Sequence, residues 1–182
     1  MSNTSKQYQE VITSAKVIFV KKNHDYGTSW RVLRPISIVD QIYIKAKRIR
    51  TIQEGKKQLV ADDIASEWMG IINYAIIGLI QLDLGNADID DLDAETCFSL
   101  YDKQVNEALT LMGMKNHDYG EAWRDMSEES MCDLILTKLH RMKQIIRNQG
   151  KTLISEGLDA NFLDILNYAV FAMILQSEAS TV

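Results

Sequence analysis

The ten residues KNHDYGTSWR at positions 22 to 31 recur as KNHDYGEAWR at positions 115 to 124, with eight of the ten positions identical. The match extends well beyond this stretch. Tyr8 and Tyr101, Trp30 and Trp123, Asp40 and Asp133, Lys45 and Lys138, and Arg48 and Arg141 all lie 93 residues apart, and the NYA triplets at 73 to 75 and 167 to 169 lie 94 apart. A constant offset over most of the chain, with one residue gained late, marks a tandem duplication. The chain therefore divides into a first helical repeat at 1–82, an acidic linker at 83–94 and a second helical repeat at 95–182.

Three helices are expected in each repeat. Tyr8, Val11, Ile12, Ala15, Ile18 and Phe19 fall on one helical face, as do Tyr101, Val105, Ala108, Leu109 and Met112. The chain is expected to turn at HDYG. A second helix follows from about 37 to 53 and from about 130 to 148, with Gly55 and Gly150 suited to its C-terminal exit. The third, from about 62 to 82 and 156 to 176, is apolar nearly all round, which marks a central helix packed on several sides. With 1 Pro and 9 Gly there is little of the turn punctuation that a sandwich or barrel of many strands requires. The expected fold is all-α, a duplicated three-helix unit packed as one pseudo-two-fold helical bundle with the two third helices paired near the axis.

Composition narrows the function. At 182 residues, with 46% hydrophobic and 25% charged positions and a mean hydropathy of -0.15, the chain can bury a real core, which excludes disorder as its main state. A net charge of -5 argues against an extended nucleic-acid surface. Cys97 and Cys132 form no CxxC pair and no disulfide framework, so a cytoplasmic location is expected. The longest apolar stretch, 69 to 82, contains Asn73 and Tyr74 and falls short of the roughly 20 residues of a membrane span, so no membrane partner is expected. The apolar third helices leave room for a homodimer.

Four groups of residues can carry chemistry. His24 and Asp25, with His117 and Asp118, follow an amphipathic helix at a turn that can direct both side chains into a cleft, Asp as a hard oxygen ligand and His as a ligand or proton carrier. The alternative is architectural: Gly27 ends the helix with left-handed backbone, and Tyr26 and Trp30 plug the core. An HD-type metal phosphohydrolase is excluded by ligand counting, since His24, His117 and His140 are the only histidines. Asp40 and Asp133, each three residues after a serine, read as helix-start caps or as ligands near an anion site. Six basic residues between 45 and 57 face Glu54 alone, and five between 138 and 151 face no acid. Among them, Lys45 with Arg48 and Lys138 with Arg141 are spaced to project toward a phosphate. The third helices carry Glu67 and Asn73, and Asn161, Asp164 and Asn167 at successive steps of three that can line one cavity. Asp164 has Gly70 as its counterpart, while Glu67 stands opposite Asn161, so the two sites cannot be chemically identical.

These residues resemble the nucleotide modification associated domain 1 family, also filed as domain of unknown function 1599, small helical proteins with a motif like K-x-x-DYG-x-x-W and a later D-x-x-NYA helix. The first motif is met twice, at Lys22 to Trp30 and Lys115 to Trp123, and the second in full only at Asp164 to Ala169. The resemblance implies nucleotide metabolism. A looser likeness is to the all-α nucleoside triphosphate pyrophosphohydrolases of the MazG and dimeric dUTPase kind, which hold magnesium on an ExxE helix followed by an ExxD helix; this chain has no ExxE on its first or second helix.

The resulting expectation is a nucleotide or modified-nucleotide pocket in which Asp118, Asp164 and His117 meet Lys138 and Arg141 around a phosphate. Mg2+ or Mn2+ would be held among Asp25, Glu67, Asp118 and Asp164, with Lys45 and Arg48 as the first repeat's phosphate ligands. His24, Tyr26, Trp30, Asn73, Tyr119, Trp123, Asn161 and Asn167 would complete the pockets. In one version the site cleaves a nucleoside triphosphate; in the other it binds without turnover, as a sensor or accessory subunit; a helical interaction scaffold is the third.

Overall fold

The structure, a computed structural model, describes residues 3–57, 63–154 and 156–180. Those residues form six helices and no strand: α1 (Asn3–Tyr26), α2 (Pro35–Gln53), α3 (Ile64–Leu84), α4 (Ala94–Tyr119), α5 (Glu128–Arg147) and α6 (Leu158–Ala179), with a short 3-10 turn after α1 and another after α4. The first three and the last three repeat the same plan, as the duplication requires.

Helices α3 and α6 lie against each other at the centre, α2 and α5 pack on them and on one another, and α1 and α4 cover the remaining side. By length and composition both central helices are apolar enough to cross a membrane. Their apolarity has another cause, since 67% and 61% of their most apolar windows are buried inside the bundle. The close approach of α3 and α6 needs Gly78, where an added side-chain carbon would lie 2.5 Å from the Phe162 ring.

Polar groups tie the halves together with the pseudo-two-fold symmetry of the repeat. The Tyr8 hydroxyl donates to Asn167 Oδ1 (2.8 Å) and the Tyr101 hydroxyl to Asn73 Oδ1 (2.9 Å), each reaching from one unit into the other. Each asparagine then donates to the first helix of its own unit, Asn73 to the Ala15 carbonyl and Asn167 to that of Ala108. Burial pushes the ionisation of both tyrosines far upward, so they stay neutral donors. A second symmetric pair joins α2 to α5: Asp40 meets Lys143 at 2.8 Å, and Asp133 meets Arg50 at 3.4 Å.

Several local expectations are corrected. α1 and α4 do not end before HDYG but run through Tyr26 and Tyr119. The left-handed residues that stop them are Gly27 (φ 60°) and Gly120 (φ 63°), a conformation in which a side chain would be strained. α2 opens on Pro35 with no side-chain cap, and α5 is capped by Ser127, whose hydroxyl accepts the Ser130 amide. Ser37, Ser130, Asp40 and Asp133 therefore lie inside their helices, and the two aspartates, which cap neither helix, form the α2–α5 ion pairs. Residue 62, the expected start of α3, lies outside the described residues; Asp63 caps that helix through the Ser66 amide. Gly55 and Gly150 do take left-handed backbone past the ends of α2 and α5.

The acidic linker is bound to the first unit. Asp90 accepts from the Thr28 amide (3.0 Å) and from its hydroxyl. Arg31, only 4% exposed, donates to Asp91 (2.8 Å), to the Gln81 side chain and to the Gly85 carbonyl (2.6 Å).

Candidate functional site

The corner after α1 meets α2 and α3 around a cavity of about 410 Å³. Lys22, Asn23 and Tyr26 enter it from the last turns of α1, Trp30 from the 3-10 turn, Lys45 from α2, and Glu67, Asn73 and Tyr74 from α3. The phase of α1 decides which residues arrive. Each helical residue turns about 100° from its predecessor, so positions 22, 23 and 26 share a face while 24 and 25 lie away from it. His24 and Asp25 are accordingly 88% and 68% exposed at the side chain and line no part of this cavity, touching mainly each other at 3.4 Å.

The second unit repeats the arrangement on a smaller scale, around about 130 Å³ lined by Lys115, Asn116, Tyr119, Trp123, Asp164, Asn167 and Tyr168 among others. His117 and Asp118 again face outward. The expected meeting of His117 and Asp118 with Asp164 does not occur, for the same helical reason. Tyr26 and Tyr119, 55% and 76% exposed, sit at the pocket mouths and plug no core, whereas Trp123 is buried.

The acid of each site lies on a different turn. In the first unit Glu67 accepts from Arg48 at 2.7 Å and from Lys45 at 3.5 Å. In the second, Asp164 accepts from Lys115 on one oxygen and Lys138 on the other, both at 2.6 Å. Burial works against the ionised Asp164 carboxylate, but the two ammonium groups outweigh it and hold the residue below the usual carboxylate range. Arg141 does not join them; it is exposed beside Thr152 and Leu153 in a shallow depression on another part of the surface. Asn161 is also absent from the pocket lining, and its amide donates back to the Gly157 carbonyl at 2.7 Å.

The aromatic lining differs too. Phe171 stacks on Trp123, with ring centres 4.2 Å apart and planes 5° from parallel, and the covered Trp123 indole N–H has no partner among the described residues. The equivalent of Phe171 in the first unit is Ile77, and the ring contact of Trp30 among the described residues is with Phe19, tilted and 6.5 Å away. The first cavity is therefore open where the second is filled by its own side chains.

No group of three or more His, Cys, Asp or Glu side chains is placed to hold a metal ion among the described residues. The expected donors scatter: Asp25 and Asp118 face outward, and Glu67 and Asp164 are each engaged by two cations. This donor set does not fit a resident Mg2+ or Mn2+. Lys22, Lys115, Tyr74 and Tyr168 belong to the repeated motifs, but the motifs alone assign them no place in a pocket. The signal was available in the spacing of Lys22, Asn23 and Tyr26, which is one helical face once α1 is allowed to continue through the motif.

Fold and site together define a duplicated all-α protein with one open and one filled copy of an aromatic, lysine-bearing pocket. The family model described as nucleotide modification associated domain 1 matches residues 22–82 and again 115–175, and the chain belongs to this family. Both matches begin at the pocket lysine, Lys22 or Lys115, and extend through the helix that carries NYA. Comparison with the curated proteins and with the solved structures returns no match.

Proposed function

We propose that the chain is a nucleotide-binding protein of nucleotide modification, acting through the first unit's cavity. The observation that carries this reading is the lining of one 410 Å³ space by both aromatic rings and lysines. That volume falls in the ordinary range of small-molecule sites, roughly 300–1,000 Å³. Tyr26, Trp30 and Tyr74 offer ring faces and edges to a base, whose stacking tolerates many sequences of ring atoms. Lys22 and Lys45 offer ammonium groups to a phosphate, and the Asn23 amide offers a donor and an acceptor to a base edge or sugar.

The chemistry supported is binding without turnover, as a sensor or an accessory subunit. Hydrolysis at phosphorus needs an activated water and a cluster of carboxylates or a general base facing it. Here the histidine–aspartate pairs face outward and the pocket acids are paired with cations. The test is a thermal-shift series with ribo- and deoxyribonucleoside mono-, di- and triphosphates, with and without Mg2+ or Mn2+. A ligand at a hundred times its Kd stabilises the fold by about 2.7 kcal/mol, a rise of several degrees. No rise with any nucleotide would remove the reading, and product formation from one would replace binding by catalysis.

A further inference from the structure

We infer that the phosphate subsite of the first cavity lies beside Gly70, between Lys22 and Lys45, and that the second unit holds the same subsite already occupied by its own Asp164. The chain then takes up one nucleotide rather than two. The inference rests on the nucleotide reading above and adds to it the position of the phosphate and the stoichiometry.

The duplication supplies the superposition. Lys115 is the counterpart of Lys22, Lys138 of Lys45, and Asp164 of Gly70. In the second unit the carboxylate bridges both lysines at 2.6 Å with its side chain 9% exposed, so an anion at this point is what two such lysines bind. In the first unit no carboxylate among the described residues bridges the two lysines: Glu67 reaches Lys45 alone of the pair, at 3.5 Å. Lys22 has no ion-pair partner among the described residues, yet still lines the cavity. Lys45 still reaches position 70, where an added side-chain carbon would lie 2.8 Å from its Cδ and Cε and 3.1 Å from its ammonium nitrogen.

Moving the acid by one helical turn decides which cation is left over. Each unit has three cations and one acid on these positions: Lys22, Lys45, Arg48 and Glu67, against Lys115, Lys138, Arg141 and Asp164. Glu67 lies closest to Arg48, at 2.7 Å, and leaves Lys22 at the cavity. Asp164 takes both pocket lysines and leaves Arg141, which lies outside the pocket. A tethered carboxylate competes with a free phosphate at high effective concentration. The stack of Phe171 on Trp123 shuts the base side of the same pocket.

Isothermal titration with inorganic pyrophosphate, and separately with each of the common nucleoside triphosphates, tests this. One equivalent is expected for the wild type. Gly70→Asp, which recreates the internal anion and requires only the end of Lys45 to shift, should weaken binding at least about tenfold, as should Lys22→Ala at an exposed position. The double variant Asp164→Gly with Phe171→Ile should gain a second equivalent. Two equivalents in the wild type, or unchanged affinity in Gly70→Asp and Lys22→Ala, would overturn the subsite while the nucleotide reading stands. Pyrophosphate binding that both substitutions abolish, with no nucleotide bound, would do the reverse. Absence of binding to either probe would overturn both.

Discussion

The corners of the two units share a sequence but are held by different parts of the chain. In the first, the linker passes directly over Gly27, where an added side-chain carbon would lie 2.0 Å from an Asp90 oxygen, and it buries Arg31 against Asp91 and the end of α3. In the second, nothing lies within 4 Å of the same point on Gly120. Arg124, 22% exposed, instead reaches Thr4 and Gln7 at the start of α1 and Glu178 at the end of α6. A duplicated motif thus encodes its own turn but not what covers it. The linker follows the first unit only, and the N-terminal helix takes over the corresponding role at the second.

The contrast can be broken most directly at the two arginines. Arg31→Ala should cost about 3 kcal/mol, because it leaves the buried Gln81 side chain and the Gly85 carbonyl short of a donor and frees Asp91. Arg124→Ala should cost about 1 kcal/mol, since its two acid partners, Glu121 and Glu178, are about 40% exposed and can be solvated by water. Urea unfolding of the two variants measures the difference, and equal losses would mean that the linker is no more than a tether.

A smaller effect separates the pockets in acid. Asp164 has its folded ionisation lowered by Lys115 and Lys138 against the opposing effect of burial, so its contribution is fully present above the unfolded carboxylate range. That contribution disappears as the pH falls through the lowered folded value. Asp164→Asn should therefore be less stable than the wild type at neutral pH and converge on it only once the pH has fallen below the ordinary carboxylate range. Parallel curves between neutral pH and that acid limit would show that the ion pairs do not stabilise the second pocket.

The smallest effect should come where the units agree. Asp40→Asn and Asp133→Asn each remove one of the two symmetric α2–α5 ion pairs, both on largely exposed carboxylates. Losses below about 1 kcal/mol, alike in the two variants, are expected from chemical denaturation. A loss several times larger in one would show that the halves are joined unequally.

Much of the fold was legible in advance because periodicity and a fixed offset are properties of the chain itself. The spacing of Tyr8, Ile12, Ala15 and Phe19 puts them on one face, which is buried, and the third helices, apolar nearly all round, lie at the centre. The corner misleads because His, Asn and Asp look like turn residues, while the helix simply continues until a residue can adopt positive φ. That single misplacement carried His24, Asp25, His117 and Asp118 into a cleft they do not face. It also left Lys22 and Lys115, the first residues of the motif, without the pocket role that the continued helix gives them.

The sequence by itself determined the duplication, the six helices and the chemical difference between Gly70 and Asp164, since offset, period and residue type need no partner to be read. Only the tertiary structure decided which lysines meet which acid, which rings close which pocket, and which segment straps each corner. Those outcomes depend on contacts between residues far apart in the chain, such as Thr28 with Asp90 and Lys115 with Asp164, whose distances are set by the packing of whole helices.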